Sequence, residues 1–189
     1  NPAAGGLIKK GGETKGGGVH TSTRVESIEK VGSALKVRLN NGKVLDADVV
    51  ISATGVRANI EFLKGSGIET DFGVKVNDGL QSSHPDVYAA GDVCQGRDFS
   101  TGEYTVQAIQ PTAADHGRIA AANMAGRNLR HQGSVNMNIL DTMGLISTSY
   151  GLWMGVPGGA NVELNDPERY RYLSLQFADD ALVGAQSLG

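Results

Sequence analysis

His84-Pro85-Asp86-Val87-Tyr88-Ala89-Ala90-Gly91-Asp92-Val93 is the stretch on which the reading of this chain turns. Asp86 to Ala90 is an apolar run that stops abruptly at Gly91-Asp92. Such a run suits a strand buried on both faces of a parallel sheet. Ending it in Gly-Asp places a carboxylate at the C-terminal edge of that sheet. Open α/β sheets bind their ligands outside that edge. Glycine lets backbone approach a ligand closely, and aspartate accepts hydrogen bonds from ligand hydroxyls. An aspartate there can equally just cap a turn. The pattern alone leaves both readings open.

Upstream, Val49-Val50-Ile51-Ser52-Ala53 is a second continuous apolar run, and it ends in Thr54-Gly55. It predicts another doubly buried strand. Before it, Ala34 to Leu39 alternates with period two, and Asn41-Gly42 separates it from Val44-Leu45. An Asn-Gly pair between two strand-like runs predicts a hairpin. Asn59 to Lys64 is a short helix candidate closed by Gly65 or Gly67. Gly73 to Val76 reads as a strand.

Downstream, Pro111 opens a helix that runs to about Met124, with Gly126 as its stop. Ala113, Ala114, Gly117, Ala120, Ala121 and Met124 give that helix a face of small volume. From there the texture changes. Gly144–Trp153, Asn161–Leu164, Tyr170–Phe177 and Ala181–Ser187 read as short strands of an antiparallel meander, with the boundary near residues 127–135. The fold class expected is α/β followed by a mainly antiparallel α+β part.

Of the 189 residues, 27 are glycine. That is about 14 %, twice the usual share. Seven of them fall in residues 1–18, where a helix would need tertiary packing to survive. Gly11 to Gly18 holds glycines and a lysine in the wrong order for a phosphate-binding loop, and no Gly-x-Gly-x-x-Gly opens a helix. The formal charge is −3 with no long basic run, so no nucleic-acid partner is expected. No apolar run reaches the roughly 20 residues of a membrane span, so no membrane partner is expected either. Cys94 is the lone cysteine, which fits a cytoplasmic, reducing setting. It reads as a buried, incidental cysteine. His20, His84, His116 and His131 lack metal-ligand spacing, and His116 beside Asp115 reads as a solvated pair. No metal site and no catalytic acid or base is assigned. The chain does not begin with Met and has no signal peptide, so it is expected to be processed or a piece of something longer.

Ala53-Thr54-Gly55-Val56-Arg57-Ala58-Asn59 resembles the Ala-Thr-Gly-x-Arg-Pro-Asn segment of the FAD-dependent pyridine nucleotide-disulfide oxidoreductases. The stretch from His84 to Val93 resembles that family's second FAD motif. The spacing agrees, as does Pro111-Thr112-Ala113 before a helix ending Asn123-Met124-Ala125-Gly126. Met137 to Asp141 and Gly144 to Thr148 are similar to the start of the C-terminal domain in the NADH oxidase, rubredoxin reductase and nitrite reductase NAD(P)H-subunit branch. Ala58 departs from the family's Pro.

The resemblance implies a layout and a set of roles. Residues 1–53 are expected to close an NAD(P)H-binding, Rossmann-like domain. Residues 54–126 are expected to return the chain to the FAD domain, and 127–189 to form most of a C-terminal interface domain that supports a homodimer. The resemblance implies FAD and NAD(P)H as cofactors. Asp92 would meet the ribityl hydroxyls of FAD, with Gly91 giving close backbone. Pro111, Thr112 and Ala113 would turn a helix N-terminus and its amides toward the flavin N1–O2 edge. Ala53, Thr54 and Gly55 would lie where the two nucleotide sites join. The family's FAD and NAD fingerprints, and the redox cysteine of many members, would precede this chain. The chain would thus be an inactive portion of an oxidoreductase passing hydride from NAD(P)H to FAD and electrons to an unidentified acceptor, such as a redox partner protein. The alternative is a non-catalytic dimerisation or docking module.

Overall fold

The computed structural model describes residues 2–189. They divide into two compact units: Gly12–Gly55, and Val56–Gly189 together with the residues through Gly11.

The first unit is an antiparallel sheet of β1 (Val25–Val31), β2 (Ala34–Leu39) and β3 (Val44–Ala47), in that order. The Asn41-Gly42 turn joins β2 to β3 as predicted. Gly42 sits at φ +83, a left-handed conformation that glycine adopts at no steric cost. The period-two pattern of β2 buries Val37 and Leu39 and leaves Lys36 and Arg38 outside. The predicted strand over Val49–Ala53 does not form. Those residues are irregular, with Val49 74 % and Ile51 85 % exposed. A continuous apolar run needs strands on both edges and cover on both faces. Among the described residues no strand pairs with it.

The second unit holds a small sheet in the order β4 (Val74–Lys75), β5 (Cys94–Arg97), β6 (Tyr104–Thr105). β4 and β5 are parallel, and β5 and β6 antiparallel. The expected helix at 59–64 is reduced to one 3₁₀ turn, Glu61–Leu63, followed by Gly65 at φ +83. The expected strand over Asp86–Ala90 is also corrected. Only Tyr88 makes a bridge, to Gln81, while the Ala89 N–H donates to the Leu80 carbonyl. The segment therefore folds back on residues 80–82 instead of lying inside a parallel sheet. The long helix is α2 (Gln110–Met124), and it ends as foreseen, with Gly126 at φ +84 and its N–H on the Asn123 carbonyl. Its buried face is Thr112, His116, Ile119 and Ala120. Of the small-residue face named above, Ala114, Ala121 and Met124 are exposed, Ala113 and Gly117 half-buried, and only Ala120 buried. Ile119 and Ala120 join Val74, Val76, Leu80 and Cys94 in the core of this region.

Five antiparallel strands complete the unit: β7 (Met137–Thr142), β8 (Leu145–Gly151), β9 (Ala160–Asp166), β10 (Arg171–Ala178) and β11 (Ala181–Leu188). Their order is β7-β8-β11-β10-β9, so the chain crosses from β8 to the far edge before returning. This corrects the simple meander: consecutive strands β8 and β9 are not neighbours. Helix α1 (Pro2–Thr14) forms despite its glycines. Its Ala4 and Leu7 pack on Tyr172 and Leu188, which face each other across β10 and β11. Tertiary packing thus overrides a poor propensity. Among the described residues no helix is long and apolar enough to cross a membrane.

Candidate functional site

Gly91 and Asp92 begin a 3₁₀ turn, Gly91–Val93, that leads directly into β5. Gly91 is buried and holds φ +73, where an L side chain is strained. A Cβ at this position would also stand 3.1 Å from Ala113 Cβ. The glycine therefore permits the turn and its close approach to the start of α2. Asp92 is exposed, and its carboxylate has no hydrogen-bond or ion-pair partner among the described residues. Among the described residues its side chain makes no capping hydrogen bond in this turn.

The start of α2 is likewise open. Its N-cap, Ile109, provides no side-chain cap, and Pro111 supplies no N–H. The amide assigned to Ala113 in the sequence reading is occupied, because Ala113 N–H donates to the Ile109 carbonyl at 3.0 Å. The first-turn amides without a partner among the described residues are those of Gln110 and Thr112. With the helix dipole they make a weakly electropositive end. The structure so brings Gly91, Asp92, Pro111, Thr112 and Ala113 to one place. Ala53, Thr54 and Gly55 belong to the other unit, where they are exposed and irregular, with Gly55 at φ +99.

Behind the turn lies a cluster that the sequence reading missed. His116 is 2 % exposed, not solvated. Its Nδ1 is 3.4 Å from the Gly91 N and 3.3 Å from Cys94 Sγ. Its ring meets the His131 ring edge to face, with centroids 4.5 Å apart. Asp115 faces Arg118 at 2.8 Å and His131 Nε2 at 3.6 Å. Burial, helped by neighbouring His131 and opposed by Asp115, pushes the His116 pKa down to about 4. Burial likewise lowers that of His131, against Asp115 and Asp78. Burial pushes the Cys94 thiol up to about 11, so at neutral pH it is neither a thiolate nor a nucleophile. The signal that could have located His116 was the helical spacing of Thr112, His116, Ile119 and Ala120.

Two hollows lie at other places on the second unit. A pocket of about 450 Å³ is lined by Val56, Arg57, Ala58, Ile60, Asp71, Phe72 and Val106. A polar one of about 300 Å³ lies by Asn77, Asp78, Tyr104 and Arg130. Neither of these includes Gly91, Asp92 or the start of α2; at the turn itself Gly91 and Thr112 are buried and the Asp92 side chain is exposed.

The model of the family described as pyridine nucleotide-disulphide oxidoreductase matches residues 2–127. The "NADH-dependent phenylglyoxylate dehydrogenase subunit epsilon" of Aromatoleum evansii is 35 % identical over 176 residues, 92 % of this chain and 42 % of the relative. Among solved structures, a NAD-dependent persulfide reductase from A. fulgidus superposes with a TM-score of 0.87 at 24 % identity, over 100 % of this chain and 38 % of its own. A FAD-dependent pyridine nucleotide-disulphide oxidoreductase from Desulfovibrio vulgaris gives 0.84 at 24 % identity, over 97 % of this chain and 48 % of its own. The chain thus spans less than half the length of these relatives. Mixed α/β architecture, the shared fold and the family match lead to one conclusion: the chain belongs to the pyridine nucleotide-disulphide oxidoreductase family.

Proposed function

We propose that this chain is part of a flavoprotein that takes hydride from NAD(P)H and delivers electrons to a further acceptor. The observation that carries the reading is the unpaired Asp92 carboxylate on a glycine turn packed against the open start of α2. Bound FAD would supply the hydride and electron chemistry. Asp92 would hold the ribityl hydroxyls, and the buried Gly91 would keep side-chain bulk away from them. Thr112 N–H and the positive helix end would favour negative charge on the reduced ring system. Pro111 fixes the first turn without placing an extra donor there. Ala53, Thr54 and Gly55 would approach the nicotinamide side.

In this layout residues up to 53 close the NAD(P)H domain, 54–126 belong to the FAD domain, and 127–189 form the interface domain. The rest of the longer protein would wall the Gly91–Asp92 turn, so this chain alone would be inactive and hold FAD weakly. A cytoplasmic setting rests on the unpaired cysteine. The test is anaerobic titration of the full-length protein. One flavin per chain should copurify, and NADH or NADPH should bleach its visible absorbance. A full-length protein without flavin, or one whose flavin neither nucleotide reduces, contradicts the reading. So does this chain alone copurifying with stoichiometric flavin.

A second reading, of an assembly or docking module, is favoured by one face of the five-stranded sheet. Leu173 pairs with Leu164, and Leu175 with Val162, so their side chains share that face. Val162 is 60 % and Leu164 54 % exposed. Contiguous exposed apolar surface marks contact sites. We infer a homodimer through residues 127–189, with a redox partner protein as the other occupant. Full-length protein carrying Val162→Asp and Leu164→Asp should sediment as a monomer where wild type is a dimer. Unchanged assembly would remove this face from the interface.

A further inference from the structure

His116 touches the chain on both sides of Asp92. One contact is with the Gly91 N–H, immediately before it. The other is with Cys94 Sγ, two residues after it. The ring also occupies the space a side chain would need at position 96. A Cβ on Gly96 would lie 2.6 Å from His116 Cε1 and 2.9 Å from Nε2. The imidazole is thus held between the Gly91 turn and β5. Thr112 lies one helical turn before His116 on the same buried face of α2. One side chain thus ties the Gly91 turn and β5 to α2, beside the direct packing of Gly91 on Ala113.

The tautomer follows from the donors. A backbone N–H can only donate, so the Gly91 contact assigns the lone pair to Nδ1 and the proton of the neutral ring to Nε2. The Cys94 S–H, a weak donor, shares the same lone pair. Nε2 is buried without a hydrogen-bond partner among the described residues, an orphan tolerated only where shape and packing hold the ring. Cys94 is 0 % exposed and packed in the core with Val74, Val76 and Leu80.

We propose that His116 is a positioning residue for the flavin site: its neutral ring, accepting from Gly91 and wedged over Gly96, fixes the Asp92 carboxylate relative to the α2 N-terminus. This rests on the reading that Asp92 holds FAD. It assigns His116 no contact with the cofactor.

The test measures FAD dissociation constants of the full-length protein as wild type, Asp92→Ala, His116→Leu and His116→Asn. In His116→Asn the amide oxygen can take the place of Nδ1. His116→Leu should weaken FAD about 10-fold, the scale of one hydrogen bond and its register. His116→Asn should stay within about threefold of wild type. A merely structural role would lower the melting temperature of both variants while leaving FAD affinity unchanged. If Asp92→Ala weakens FAD and His116→Leu does not, the positioning role falls and the site reading stands. If neither affects FAD, both fall. If His116→Asn is as weak as His116→Leu, the acceptor role is overturned. A fold-independent check is the ¹⁵N spectrum of wild-type His116: Nε2–H with a bare Nδ1 supports the role, and Nδ1–H overturns it.

Discussion

Replacing Asp92 by alanine in the full-length protein should raise the FAD dissociation constant by about 10- to 100-fold. Hydrogen bonds to a charged group contribute about 1.5–3 kcal/mol, and each 1.4 kcal/mol is a factor of about ten. The stability of the flavin-free protein should hardly change. Asp92 is exposed and bonds to nothing among the described residues, and substitutions at such sites shift stability by about 0.5 kcal/mol or less. The split is what makes the variant informative. Asp92→Asn keeps an acceptor oxygen and loses the charge, so it should fall between. Fluorescence titration with FAD checks affinity, and thermal unfolding of the apoprotein checks stability. An unchanged dissociation constant would remove Asp92 from the site, and a collapse in apoprotein stability would make it structural.

The second large effect is loss of stability in acid. The pKa of His116 is lowered by burial to about 4, against an ordinary value of 6.5. Between those values the unfolded chain binds a proton that the folded chain excludes. Stability therefore falls as pH drops through that window, and the loss is complete below about 4. At about 1.4 kcal/mol per pH unit per proton, His116 accounts for about 3.5 kcal/mol at most. His131 is shifted the same way and adds to the fall. Melting temperatures between pH 7 and pH 4.5 check this. Wild type should lose stability steadily below pH 6.5, and His116→Asn should show a shallower slope. Equal slopes for the two proteins would show that His116 is not buried in its neutral form.

These two residues differ in how far the sequence disclosed them. Asp92 was legible because its context is local: an apolar run, a glycine and a carboxylate in succession. The Asn41-Gly42 hairpin, the Gly126 helix end and the strands from Leu145 onward were legible for the same reason. Each is written in turn chemistry and side-chain period within a few residues. Val49–Ala53 was read as a strand because an apolar run reports a demand for burial. It cannot report whether pairing strands are present, and among the described residues none is. Asp86–Ala90 failed in the same way, settling for a fold-back on residues 80–82. The β8-to-β9 crossing was hidden because strand order is set by long-range pairing. His116 was hidden by its neighbour: next to Asp115 it reads as polar surface, and only the phase of the buried face of α2 turns it inward. Helix α1 shows the converse, since Leu7 and Ala4 hold it on Tyr172 and Leu188 against its glycines.

On the proposed function, the flavin would lie on the Gly91–Asp92 turn and the start of α2. Hydrogen exchange of the full-length protein, with and without saturating FAD, addresses this placement most directly. FAD should slow exchange at the amides of Asp92 and Val93 and of Gln110 and Thr112, because the cofactor covers them, whereas the Gly91 amide is already bonded to His116. FAD binding that leaves the four covered amides unchanged while protecting other segments would contradict this placement.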